Sequence, residues 1–519
     1  MIIILYNELE DDMELITDQY TNDITGVLSC YDRIVVTGTV PHICYAKGMT
    51  DWLYAHNIRI FDYPQFADPI RHKIRENAER IAQEAGIEIE HINKQHIRKE
   101  DVVKKVLEKR GSHPGLVHII SAMETCESYK PWHDKKTHRT FLKPNTSKCL
   151  HYYFYLIDKT LGLCYIRVPT WSPFRLQIYF NGHNWLASRL NEEGLNYTLL
   201  DNAFIDIDDF GQAQELADQM RVKELHKILD TFSETFCPVH DIFNEHYHWS
   251  IMQAEYATDI VFKKQNTLKP LYDQLIETAI HTVKPDNIAT FLGRKLAPQY
   301  QDEMGNRYNV RLQGTRIKHI MGSVSIKMYD KFQQILRIET TVNKVSFFMH
   351  YRTVEHRDGR KENKFAPLKK NIYSLVPLKD ILRASNKRYL EFISSFVTDI
   401  KNRNQLNRIS SPVKENGRNY KGFNLFDKSD LQLLAIIARG EHCISGFQNK
   451  SLRRFLRNKT CGQVSRILKR LRLHGLIRKI KGTYKYYLTS LGKQVIVAAM
   501  RVKEYIIVPS LSVRDFSAI

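Results

Sequence analysis

Along residues 31–120, short apolar runs alternate with segments whose apolar residues recur at helical spacing. Arg33 to Val40 reads as a strand, Gly48 to His56 as a helix, Pro69 to Ala85 as a longer helix and Glu88 to Ile92 as a strand. A helix at Lys99 to Lys109 and an apolar strand at Leu116 to Ser121 complete the series. Strands alternating with helices predict an α/β layer with parallel pairing. From residue 149 the pattern changes. The runs His151 to Ile157 and Leu163 to Val168 flank Asp158-Lys159-Thr160-Leu161-Gly162, which predicts a β-hairpin closed by a short Gly-containing loop. A helix is expected from Arg175 to Glu193, ended by Gly194. Residues 208–295 read as mostly helical. Residues 307–357 read as a second β-rich unit, punctuated by Gly322 and Gly359, and a further helix is expected at Leu378 to Val397.

Between Lys401 and Phe423 periodic apolar residues are scarce and Asn, Arg and Lys abundant, the composition of a linker. Beyond it the elements follow a specific order. Ser429 can cap a helix built on Leu431, Leu433, Leu434 and Ile437, and Asn449 can cap a short second helix. Thr460 can cap a third, in which Val464, Ile467, Leu468 and Leu471 repeat at i, i+3, i+4 and i+7 and which closes at His474-Gly475. Two strands, Leu476 to Ile480 and Thr483 to Thr489, turn at Lys481-Gly482, and a last helix begins near Ser490. Three helices and a β-ribbon form the winged-helix order.

A chain of 519 residues exceeds what one hydrophobic core usually supports. The expected fold class is α+β and multidomain: a mixed α/β N-terminal body with a C-terminal winged helix-turn-helix domain. The expected divisions are 1–148 (α/β domain), 149–400 (α+β body with two β-rich units and a helical insert), 401–424 (basic linker) and 425–519 (winged helix).

Charge sharpens that division. Residues 401–519 hold 25 Lys and Arg against 6 Asp and Glu, whereas residues 1–400 hold 52 against 51. Charge so concentrated costs self-repulsion unless an anionic partner meets it, and nucleic acid is the polyanion best able to do so. With Val464, Ile467, Leu468 and Leu471 buried, the third helix would present Gln463, Arg466, Lys469 and Arg470, with Ser465 near its start. Gln suits adenine edges, and Arg suits guanine or a phosphate. Lys481 and Lys485 in the wing, with Arg453, Arg454 and Arg457, would reach phosphates. The plainer reading is a solvated basic helix in a packing module.

The 8 cysteines are scattered without a CxxC pair, which signals neither a zinc ribbon nor a disulfide framework and fits a reducing, cytoplasmic setting. The apolar run Met1 to Leu5 is followed at once by Glu8, Glu10, Asp11 and Asp12, unlike a signal peptide, and no stretch reaches membrane-spanning length. No membrane partner is expected, and a homodimer is compatible with the sequence.

The run Tyr484-Lys485-Tyr486-Tyr487-Leu488-Thr489-Ser490-Leu491-Gly492 resembles the second wing strand and following helix of MarR-type winged-helix regulators. That resemblance implies a third helix in the major groove and a wing at the backbone or minor groove. Leu28-Ser29-Cys30-Tyr31-Asp32-Arg33 through Val40, with Lys327 to Thr341 and the C-terminal module, resembles a large bacterial family of similar length with a MarR-like C-terminus. It brings no assigned activity for the body. The implied function is DNA binding, as a transcriptional regulator or the DNA-recognition component of a mobile element.

A body of 400 residues invites chemistry of its own, yet it carries no P-loop, GxGxxG, HExxH, GxSxG or kinase signature. The densest polar stretch runs from Gly314 to His319, through Ser325 to Lys331, to Leu336 to Thr341. The last two read as a hairpin, with Lys327, Tyr329 and Lys331 on one face and Arg337 and Glu339 sharing a face of the partner. Tyr329-Asp330-Lys331 and Arg337-Ile338-Glu339 resemble the YDK and RxE pattern of rolling-circle replication initiators. The resemblance implies strand cleavage by Tyr329, with Asp330 and Glu339 as catalytic partners and a metal held by acidic or His ligands, for which His246-Tyr247-His248 is one candidate. The competing reading is a cross-strand ladder of Lys327 and Lys331 with Glu339. On an expected helix from Trp249 to Phe262, Glu255 and Asp259 stand at i, i+4 and could hold Mg²⁺ or Mn²⁺ with Asp32, as a metal-dependent nuclease requires. Finally, Lys130, Lys135, Lys136, Arg139, Lys143 and Lys148 interleave with Trp132, His133 and Phe141, a composition suited to single-stranded nucleic acid, RNA included. An exposed loop packed on its own aromatics is the alternative.

Overall fold

The apolar run from Arg33 is the second half of a longer strand, β1 (Ile24–Thr39). The computed structural model describes residues 15–94, 96–294, 304–311, 314–356, 358–395 and 409–502. They form an α+β protein of two compact units, one of Leu28–Ala257 with Thr341–Ile381, the other of Met1–Val27, Thr258–Thr340 and Leu382–Ile519.

In the first unit the chain continues through α1 (Ala46–Ala55), α2 (Tyr63–Ala85), β2 (Ile89–His91), α3 (Lys99–Arg110) and β3 (Gly115–Asp134). The helix α2 buries Ala67, Ile70, Ile74, Ala78 and Ile81, one face at helical spacing, and stops at Gly86, whose φ of 63° is the left-handed cap glycine adopts without strain. Next come β4 (Arg139–Asp158), β5 (Gly162–Pro169) and β6 (Leu176–Asn181). The sheet order is β1-β6-β5-β4-β3-β2. Parallel pairing, expected for this whole region, is confined in this sheet to β2 with β3. There the α3 crossover returns the chain in the same direction; β3, β4, β5 and β6 follow one another through short connections, which reverse it.

The helix expected from Arg175 starts later, as α4 (Gly182–Glu192). The residues before it alternate in burial as β6, and the Asn181 side chain accepts from the His183 amide, capping the helix where the strand ends. A hairpin of β7 (Tyr197–Leu200) and β8 (Ala203–Ile207) and the helix α5 (Val222–Phe236) follow. The stretch expected to be helical from Trp249 to Phe262 is a strand, β9 (His248–Phe262). Its aromatic and β-branched residues are buried on both faces, so no polar stripe marks its period.

The second unit holds α6 (Gln265–Thr282), α7 (Pro285–Phe291) and an antiparallel series, β10 (Met304–Arg311), β11 (Gly314–Met321), β12 (Val324–Lys331) and β13 (Ile335–Val342). The hairpin expected from Ser325 to Thr341 is β12 with β13. The chain then forms a ribbon of β14 (Met349–Glu355) and β15 (Lys361–Pro367) in the first unit, followed by α8 (Leu375–Ser394). In the second unit Asn386 of α8 donates to the Ile338 carbonyl at 3.2 Å and accepts from the Thr340 hydroxyl at 2.6 Å, fastening that helix to β13.

Residues 401–408 of the expected linker lie outside the described residues. Its remainder contains β16 (Val413–Glu415) and β17 (Arg418–Tyr420), joined by Asn416 and Gly417, both at positive φ. That is the two-residue turn Asn-Gly favours between antiparallel strands. Next come α9 (Lys428–Ile437), α10 (Gly440–Ser445), α11 (Asn449–Arg453), α12 (Cys461–Leu473), the ribbon β18 (Ile477–Lys479) with β19 (Tyr486–Leu488), and α13 (Ser490–Val502). The cap of α9 is Asp427, two residues before the expected Ser429. Within the second unit α7 packs on α10 and α6 on α13, and Arg439 pairs with Asp286. No helix of the described residues is long and apolar enough to cross a membrane.

Candidate nucleic-acid interface and neighbouring polar clusters

The helix α12 starts where Thr460 and Gln463 cap each other: the Thr460 hydroxyl accepts from the Gln463 amide, and Gln463 Oε1 accepts from the Thr460 amide at 2.8 Å. Val464, Leu468 and Leu471 are buried as their spacing predicts. Asn449 donates to Ser465 Oγ at 2.8 Å and to the Cys461 carbonyl at 3.0 Å, pinning α11 against the first turn of α12. This is how a turn fixes two helices at a set angle.

The residues expected to read nucleic acid divide into two groups. Gln463 is exposed, with its oxygen engaged in the cap and its amide nitrogen left to donate outward. Arg466 is exposed and takes part in no ion pair among the described residues, as do Arg453, Arg454, Arg457, Lys481 and Lys485. Lys469 and Arg470, by contrast, are each engaged by an acid of the same unit. Lys469 pairs with Glu415 at 2.6 Å, which holds its ammonium above the ordinary value while Lys469 holds the Glu415 carboxyl below. Arg470 is locked on Asp430 and lies over the Phe423 ring at 3.8 Å. The expectation that Arg470 faces a ligand is therefore corrected. The segment before α9, which the sequence pattern left without structure, supplies Glu415 and Phe423 and draws both cations to itself. At the tip of the ribbon Tyr484 is 81% exposed and Lys479 lies over its ring at 5.4 Å.

In the first unit the basic aromatic stretch is the tip of the β3–β4 hairpin, with Lys130 opposite Lys143, Trp132 opposite Phe141 and Asp134 opposite Arg139. Asp134 accepts from the Lys136 amide and the Thr137 hydroxyl, and the hydroxyl above all holds its carboxyl below the usual range. Lys143 sits 3.7 Å over the Trp132 ring, which covers that face of the indole with a cation of the same strand pair. Lys135, Lys136 and Arg139 remain exposed around the turn.

The carboxylates expected to hold a metal are placed as follows. Asp32 on β1 and Glu255 on β9, both in the first unit, bring carboxylate oxygens within 4.8 Å of each other. Asp32 Oδ1 accepts from Asn181 at 3.0 Å and Asn202 at 2.6 Å and lies 3.2 Å from His183 Nδ1; Glu255 accepts from Thr341 at 3.1 Å. Two oxygen donors suited to a hard divalent cation thus stand side by side. Glu255 and Asp259 still share a face, because a spacing of four keeps the side in a strand as it does in a helix. Asp259, in the second unit, is instead gripped by the buried Arg337, with both carboxylate oxygens 2.6 Å from guanidinium nitrogens.

In the second unit the Tyr329 hydroxyl donates to Glu339 Oε2 at 2.6 Å and Lys327 donates to Oε1, with Glu339 2% exposed. That is the cross-strand ladder between Lys327 and Glu339, with tyrosine added, and Lys331 lies over the Phe332 ring at 5.1 Å. Asp330 points elsewhere, and burial pushes its carboxyl up to about 6, helped by Asp273. His248 is the first residue of β9 and His246 lies two residues before it; neither is among the Asp32 partners named above. The sequence-distant partners Asn181, His183 and Asn202 carry no local signal that joins them to Asp32. No family model matches the chain, and no curated protein matches it.

Proposed function

We propose that the chain binds duplex DNA through residues 425–502, used as a MarR-like winged helix, with α12 in the major groove and the β18–β19 ribbon along the backbone. One observation carries this reading. All four acidic residues described after residue 409 are engaged within residues 409–502: Glu415 on Lys469, Asp427 on the α9 cap, Asp430 on Arg470 and Glu441 on Arg439. Arg453, Arg454, Arg457, Arg466, Lys481 and Lys485 are left exposed without a counter-charge, and a phosphate backbone supplies one. In this reading Arg466 contacts a base edge or an adjacent phosphate, and the protein serves as a transcriptional regulator or as the DNA-recognition component of a mobile element. Fluorescence anisotropy with a duplex pool, then selection of the bound sequences, tests it. Arg466→Ala should cost about 1–3 kcal/mol of affinity at the preferred site. Equal affinity of variant and wild type removes the assignment, and preference for RNA over duplex DNA transfers it to the hairpin around Lys135, Lys136 and Arg139.

A second reading, a strand-cleaving enzyme, is favoured by the Tyr329–Glu339 hydrogen bond, because a carboxylate that accepts the phenolic proton is what a tyrosine nucleophile needs. Lys327 and the burial of Glu339 rank it second. Single- and double-stranded DNA incubated with the protein and Mg²⁺ or Mn²⁺ should yield a covalent adduct that Tyr329→Phe abolishes; absence of any product under either metal removes this reading.

A further inference from the structure

Beside β3, β4 and β5 the first unit contains a cavity of about 310 Å³, lined among others by Cys126, His151, Arg167, Trp171 and Arg175. The strand register sets Cys126 opposite Ser147 and Glu124 opposite Cys149. Directly opposed residues share a face, so the two cysteines are diagonal neighbours on one side of the sheet. The Ser147 hydroxyl lies 3.6 Å from the Cys126 sulfur, and His151 Nδ1 lies 3.8 Å from the Cys149 sulfur. Both thiols are free.

We propose that Cys126 is a reactive thiol that exchanges with small anionic disulfides entering this cavity, where the Arg167 and Arg175 side chains line the wall beside it. The neighbouring Cys149 side chain lowers the Cys126 thiol most, the Ser147 hydroxyl and the Arg167 charge on β5 add to this, and burial and Glu127 oppose, leaving Cys126 at about 6. Cys149 is pushed up by its Cys126 neighbour and by burial, so it stays protonated. His151 is held neutral, at about 4, chiefly by burial. Arg167 is fixed by Glu124 and Tyr153, Glu124 is shared with Lys99, and Arg175 pairs with the exposed Glu127. A lowered thiol in a cavity edged by two guanidinium groups is the microenvironment that makes cysteine nucleophilic.

The step is thiol–disulfide exchange. The Cys126 thiolate attacks one sulfur of R–S–S–R, the new Cys126–S–S–R bond forms as the old S–S bond breaks, and RS⁻ leaves with the electron pair and takes a proton from water. No further oxidant or reductant enters.

The test labels the full chain with 5,5′-dithiobis(2-nitrobenzoate), a dianionic disulfide, and in parallel with cystamine, a dicationic one, and locates the adducts by peptide mass spectrometry. Cys461, exposed on the other unit, is the internal comparison that cancels the reagents' intrinsic reactivities. The ratio of Cys126 to Cys461 labelling should be roughly tenfold higher with the dianion. The rate at Cys126 should fall with a midpoint near pH 6, and Cys149→Ala should move that midpoint upward. An unlabelled Cys126 in native protein whose Cys461 reacts, or equal ratios with the two reagents, overturns the proposal. Both readouts use the wild-type chain, so they decide the matter even if a cysteine variant fails to fold.

Discussion

Arg470 grips Asp430 with two hydrogen bonds, Nη1 to Oδ1 at 2.7 Å and Nη2 to Oδ2 at 2.8 Å. The same guanidinium donates to the Lys421 and Gly422 carbonyls, so one side chain at the C-terminal end of α12 holds the start of α9 and the segment before it. The Asp430 side chain is 3% exposed, and removing its partner would strand a buried charge. Arg470→Ala should therefore cost about 3–5 kcal/mol of stability in the module. Arg466→Ala, exposed one turn earlier, should change stability by no more than about 0.5 kcal/mol while weakening DNA binding. Thermal melts beside binding titrations check the pair, and a wild-type melt for Arg470→Ala would show that its contacts are incidental.

Salt should separate phosphate contacts from base contacts. If Lys481 and Lys485 neutralise phosphates, binding falls linearly on a log–log plot against salt, and each Lys→Ala change should flatten the slope by about 0.9. The loss of affinity should be the same on any duplex sequence. An unchanged slope would place the ribbon off the DNA.

The helix α12 was legible in the sequence because its apolar residues are few, regularly spaced and closed by Thr460 at one end and His474-Gly475 at the other. The strand β9 was not, because burial on both faces erases the polar alternation that identifies a strand, and Glu255 and Asp259 fit a helix face equally well. Asn416-Gly417 was a readable turn signal hidden in a stretch judged by its overall composition. Asp32 was singled out, but Asn181, His183 and Asn202 reach it only through the fold. Likewise Cys126 and Cys149 become neighbours only through the β3–β4 register, which no spacing between them encodes.

Gly492 lies in the first turn of α13, and a Cβ there would stand 2.1 Å from the Leu476 carbonyl oxygen. Main chain cannot yield at that distance, so the close approach of α13 to the turn before β18 requires glycine. Its amide donates to Thr489 Oγ1 at 3.0 Å, and that hydroxyl donates to the Gly475 carbonyl, which holds the start of α13 against the same turn. Gly492→Ala should destabilise the module by more than about 2 kcal/mol and expose Tyr486 and Tyr487, which fluorescence during urea unfolding would report. A variant with wild-type unfolding would mean that α13 can shift without loss.

His319 is fully buried between Asn306 and Tyr389, with Nδ1 2.7 Å from Asn306 Oδ1 and Nε2 3.0 Å from the Tyr389 hydroxyl. Burial lowers the imidazole to about 3, and no carboxylate appears among its hydrogen-bond partners to offset that. In the unfolded chain the same group titrates near its ordinary value of about 6.5. Between these two values the unfolded state binds a proton that the folded state refuses, so stability is complete above pH 6.5 and is lost as the pH falls toward 3. By pH 4.5 the loss from this one group is on the order of 3 kcal/mol. Carboxylates elsewhere add their own acid dependence, and a comparison with His319→Gln subtracts it. The variant should be the less stable protein at pH 7, because its amide fits the two partners less well, yet its disadvantage should shrink by about 3 kcal/mol at pH 4.5. Urea unfolding of both proteins at the two pH values measures this, and a disadvantage that stays constant would show that the folded state protonates His319 as readily as the unfolded chain does.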